Sequence, residues 1–137
     1  MSRQTFILIV TIYGFLLAIS MLFLSADAVK YFGGNPDNIQ EVGLMQYMGI
    51  AHFAYNIVGF NIRKSVDSQL VKSYLLANAV FSFGALGVAL FAVFVKDLPL
   101  HSTAYFDWSL WAILGLGALY FWSRESKACN SLIIKVL

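Results

Sequence analysis

His52 and Asn56 stand four residues apart in the run AHFAYNIVGFNIRKS at 51–65, and Asn78 and Ser82 stand four apart in the apolar run that follows. On a helix, each pair forms one polar stripe. His52 is the one side chain within an apolar stretch that titrates near neutral pH, so it could pass a proton or orient the oxygen of a lipophilic molecule. Asn56, Asn61, Asn78 and Ser82 supply hydrogen-bond donors and acceptors. In hydrocarbon each such group costs free energy unless it finds a partner, a water-filled cavity or a ligand. Tyr13, ten residues in from Arg3, lies near the depth of His52, which is eleven residues in from Arg63. The candidate constellation is therefore Tyr13, His52 and Ser82, with Asn56 and Asn78 beside it. Its plainest role is interhelical glue; its functional alternative is the polar floor of a cavity for a lipid, sterol, quinone or pigment.

Other chemistries find less support. No Asp or Glu lies deep in an apolar run, which argues against a proton-coupled transporter. A catalytic reading stops at His52, because no second acid–base group completes a mechanism. A haem held by two axial histidines would need His101 at the depth of His52, and His101 falls in a loop beside Pro99. Metal sites lack clustered His, Cys or carboxylate ligands, and no metal or other cofactor is predicted. GxSxG, HExxH and phosphate-binding glycine loops are absent. A single cysteine, Cys129, excludes an intrachain disulfide and a CxxC pair, and its place past Arg124 suits an exposed thiol or palmitoylation.

The elements that must position these residues are membrane helices. Of 137 residues, 60% are hydrophobic and 12% charged, and the mean hydropathy is +0.75, far more apolar than a soluble domain. The net charge of +2, with no basic stripe interleaved by aromatics, excludes nucleic acid as a partner. Four runs come close to the ~20 residues that cross a bilayer core, at approximately 5–25, 43–62, 72–95 and 104–122. GGNPDN at 33–38 and KDLPLHS at 96–102 read as connecting loops. The expected fold is all-α: a single transmembrane domain over 1–137, built as a four-helix up-down-up-down bundle. Arg3 and Ala26-Asp27-Ala28 would also suit a cleavable signal peptide, but an apolar segment of about 20 residues exceeds the usual 7–15, so the first run is read as a retained helix.

Charge gives the orientation. With both termini on the cytoplasm-like side, that side holds Arg3, Arg63, Lys64, Lys72, Arg124, Lys127 and Lys135, and the other only Lys30 and Lys96. Short loops biased in this way face the side from which the segments insert. Tyr31, Tyr47, Tyr105, Trp108 and Trp111 mark the outer boundary, and Tyr74, Tyr120 and Trp122 the inner one. Asp107, a turn inside the fourth run, suits the positive end of a helix. A hairpin between the second and third runs would set Asn56 level with Asn78, and His52 level with Ser82. Gly49 and Gly59 share the face of His52 and Asn56, while Gly84, Gly87, Gly115 and Gly117 permit close approach of the later helices.

Four spans in this length, the glycine-containing YGF at 13–15, the outer loop GGNPDN and the basic FNIRKS at 60–65 resemble the DoxX-like group of small four-helix membrane proteins. The resemblance is one of topology and spacing; it implies the architecture and carries no functional residue. Size and span number are also similar to the membrane-associated eicosanoid and glutathione metabolism family, whose glutamate-containing motif is missing from AHFAYNIVGFNIRKS. The cysteine count excludes a vitamin K epoxide reductase-like bundle. The expected protein is a non-catalytic, multi-pass accessory or assembly subunit in a bacterial inner membrane or an organelle membrane. Its expected partners are the lipid bilayer and other membrane proteins or copies of itself; the alternative is a binder of a small lipophilic molecule.

Overall fold

A computed structural model describes residues 1–97 and 104–136, with side chains as far as Lys127. Among the described residues the chain is all-helical, with five α-helices and no strand: α1 (Arg3–Phe23), α2 (Ser25–Tyr31), α3 (Ile39–Ile62), α4 (Ser68–Lys96) and α5 (Ala104–Val136). They fall into two compact units, Met1–Arg63 and Lys64–Leu137. Of the described helices, α1 and α4 are long and apolar enough to cross a membrane. At ~1.5 Å per residue their 21 and 29 residues span about 31 and 44 Å, against a hydrocarbon core of about 30 Å.

In the first unit α1 and α3 pack together, and α2 packs on α3. Phe15 meets Phe53 edge-on at 5.0 Å, and Gly49 lies under Met21 and Leu22, so the two long helices run antiparallel. α1 buries Ile7, Thr11, Gly14, Ala18 and Met21, a 3–4 residue rhythm that makes one seam. Gly49, Asn56, Gly59 and Ile62 form the answering seam on α3. Ser2 caps α1 by accepting from the Thr5 N–H at 3.1 Å. α1 stops at Phe23, two residues before the expected end of the first run, and a further short helix, α2, starts at Ser25. Gln46 of α3 donates to the Ser25 hydroxyl at 3.3 Å and ties the restart down.

The GGNPDN turn is organised by Glu41. Its carboxylate accepts from the Asn35 N–H at 2.8 Å and from the Asn38 side chain at 2.9 Å. Asn38 in turn caps α3 through the Gln40 N–H at 3.0 Å. Gly33 takes a left-handed φ of 83°, which glycine adopts without steric cost.

In the second unit α4 and α5 run antiparallel, with Ser68 bonded to Glu125 at 3.2 Å and Phe94 6.4 Å from Trp108. Asp67 caps α4 by accepting from the N–H groups of Gln69 and Leu70. Val71, Tyr74, Leu75, Asn78, Ala79 and Ser82 form the buried seam of α4, and Leu114, Gly115, Ala118 and Phe121 that of α5. α5 continues to Val136, well past Trp122, because Arg124, Glu125, Lys127 and Ala128 favour helix, although the three charged residues are unsuited to hydrocarbon.

Candidate functional site

The polar residues divide between the units: Tyr13, His52 and Asn56 belong to the first, Asn78 and Ser82 to the second. Asn56 is 2% exposed, Asn78 and Ser82 5% each, so all three are turned inward from the surface. His52 and Tyr13 are half-buried.

Both asparagines are served by their own helices. The Asn56 side-chain amide donates to the His52 carbonyl at 2.7 Å, and that of Asn78 to the Tyr74 carbonyl at 3.2 Å. The device recurs in the same i to i−4 geometry at Thr11 to Ile7, Asn61 to Ile57, Ser73 to Gln69, Ser109 to Tyr105 and Ser126 to Trp122. A side chain that bonds back to the preceding turn shields its polar group without a neighbouring helix.

Asn56 also meets α1 directly. A Cβ added at Gly14 would overlap the Asn56 carboxamide, so the glycine is the notch into which that side chain fits. About two turns along α3 from Asn56, a Cβ at Gly49 would lie 2.9 Å from the Leu22 side chain and 3.2 Å from the Ala18 carbonyl. This contact places Tyr13 beside the level of Asn56, and the Phe15–Phe53 pair places His52 about a turn beyond it. Gly14 is the residue that the sequence reading left out of the cluster, although YGF marked it; buried Thr11 is another.

In the second unit the glycines behave unequally. A Cβ at Gly115 would lie 2.9 Å from the Phe83 ring, while at Gly84 and Gly87 it would meet nothing within 4 Å. The close approach expected at those two α4 positions is therefore absent among the described residues. Tyr74, expected at the inner boundary, is buried in the α4 seam at 5% exposure. Tyr47, Tyr105 and Tyr120 are exposed. The Trp111 indole N–H is buried and has no hydrogen-bond acceptor among the described residues.

Asp107 lies in the first turn of α5 and Lys96 in the last turn of α4, each at the helix end that its charge favours. His101 lies outside the described residues, and so does the side chain of Cys129. Among the described residues no three His, Cys, Asp or Glu side chains converge as a metal site would require. The chain matches no protein-family model, no curated protein and no solved structure.

Proposed function

We propose that the protein is an integral membrane protein whose α1, α3, α4 and α5 each cross the bilayer, with both termini on the basic side. Within that membrane it acts as a non-catalytic subunit that assembles with larger membrane proteins and stabilises them. The observation that carries this reading is the treatment of polar groups inside the helices. Asn56, Asn78 and Thr11 are buried, and each donates one hydrogen bond to a carbonyl of its own helix. Large apolar side chains face outward on every long helix: Ile12 and Leu16 on α1, Ile50 and Ile57 on α3, Val88 and Phe94 on α4, Ile113 and Leu116 on α5. Water does not favour such surfaces; lipid tails and the flanks of other membrane helices do. The loop and terminal charges supply the orientation.

Assembly is favoured over ligand binding because the buried amides already have acceptors. A polar floor for a ligand would present several converging donors awaiting a partner, which the buried Trp111 indole N–H by itself does not provide. The DoxX-like resemblance fits the four-span architecture and leaves the role open.

Purification from the native membrane in mild detergent or nanodiscs, with mass spectrometry of every co-eluting protein and lipid, tests the reading. A stoichiometric set of larger membrane proteins is the expected result. A lone chain that carries one defined lipophilic molecule, lost on His52→Ala, would sink the assembly role in favour of a lipophilic-ligand binder.

A further inference from the structure

We propose that the basic end of the second unit binds the phosphate headgroups of anionic phospholipids; this rests on the membrane reading above. The bond between Ser68 and Glu125 brings the start of α4 against the far part of α5. Lys64 and Lys72 flank Ser68 in the chain, and Arg124 and Lys127 flank Glu125, so four cations gather at one end. The two acids there, Asp67 at the α4 cap and Glu125 bonded to Ser68, leave an excess of two positive charges at this end. At the opposite end of the unit, Lys96 stands with Asp97 and Asp107, and no cationic excess arises.

A lipid fits this end better than a soluble anion does. Leu70 and Leu76 on α4 and Leu119 and Tyr120 on α5 are exposed within about a turn of Lys72 and Arg124. The Arg124 guanidinium stands 5.8 Å from the centre of the Tyr120 ring, which keeps the charge next to an aromatic suited to the headgroup level. A phosphate held by the cations thus leaves its acyl chains beside apolar side chains. Each cation near an anionic surface strengthens binding about fivefold.

The test is native mass spectrometry of the full chain released from vesicles of phosphatidylcholine and phosphatidylglycerol in equal amounts. Retained lipid enriched in phosphatidylglycerol is expected, falling at least about tenfold in a variant carrying Lys64→Gln, Lys72→Gln, Arg124→Gln and Lys127→Gln. A variant carrying Lys30→Gln and Lys96→Gln should keep the enrichment, which guards against a general charge effect. Equal enrichment in the fourfold variant would overturn the proposal. So would displacement of the lipid by inorganic phosphate at constant ionic strength, which marks a soluble-anion site. Loss of an acidic co-purifying protein in the fourfold variant, with the lipid unchanged, would assign the patch to a protein partner instead. Carbonate extraction separates the two readings: a chain released from vesicles fails as a membrane protein, whereas a retained chain without lipid preference fails only here.

Discussion

In the first unit, glycine is where a neighbouring helix enters: Gly14 receives the Asn56 carboxamide, and Gly49 receives Leu22 and the Ala18 carbonyl. In the second unit Gly115 plays that part, under the Phe83 ring, while Gly84 and Gly87 face open space on α4. Both units nevertheless bury an asparagine whose amide bonds back four residues along its own helix. The polar group is made safe in the same way in each, while the packing around it differs. Gly14 and Gly49 thus serve internal packing in the first unit, whereas Gly84 and Gly87 on α4, like Gly43 on α3, meet no neighbour within 4 Å.

The largest effect is expected at Gly14. Gly14→Ala pushes a methyl into the Asn56 carboxamide, which is too buried to swing away, and should destabilise the first unit by about 1–3 kcal/mol. Thermal unfolding in detergent measures it. In an Asn56→Ala background the same change should become neutral or stabilising by up to about 1 kcal/mol, the ordinary helix preference of alanine over glycine. Simple additivity of the two changes would show that the notch does not exist.

Gly115→Ala meets the far end of a phenylalanine instead, and a ring can tilt. Its cost should stay near about 1 kcal/mol or below. A loss as large as that at Gly14 would erase the contrast between the units. Gly84→Ala and Gly87→Ala, with space around them, should each stabilise the isolated chain by about 0.5–1 kcal/mol. If a partner helix packs on this face, the same changes should strip that partner from the purified assembly, read as its loss from the co-eluting proteins.

The smallest effect is expected at Asn78. An interhelical hydrogen bond in a membrane contributes about 0.6–1.7 kcal/mol, whereas an amide already bonded to Tyr74 should be replaceable by leucine at less than about 0.5 kcal/mol. A greater loss on Asn78→Leu would support the role of interhelical glue.

Much of this was legible in the sequence. The four apolar runs mark the four long helices, and the shared face of Gly49, Asn56 and Gly59 follows from their spacing alone. The restart at Ser25 was not legible, because SADA reads equally well as the end of a span, and the Gln46–Ser25 bond that holds it links residues far apart in the chain. The length of α5 beyond the expected span at 104–122 is not legible for a related reason. Charged residues after Trp122 mark the edge of hydrocarbon, and the backbone remains helical beyond it. The Gly14–Asn56 contact needed the pairing of α1 with α3, which periodicity within one helix does not reveal. Satisfaction of the asparagines by their own helices was equally hidden, since their i, i+4 spacing with other polar residues pointed toward partners across a helix pair.

α1 and α4 meet the length and apolarity of a span by themselves, whereas α3 carries Gln46, His52, Asn56 and Asn61. α5 does not meet that test among the described residues either, so the four-span topology turns on α3 and α5, and the crossing of α3 is the first of the two to settle. Single cysteines placed at Ser2, Asn35 and Val66 in a Cys129→Ser background, labelled from one side of sealed vesicles with a membrane-impermeant maleimide, decide it directly. Val66 is 99% exposed and sits between α3 and α4, so a label reaches it without disturbing either helix. Four spans predict that Val66→Cys reacts from the same side as Ser2→Cys, opposite to Asn35→Cys. Reaction of Val66→Cys from the side of Asn35→Cys would mean that α3 does not cross, and the proposed four-span topology would be wrong.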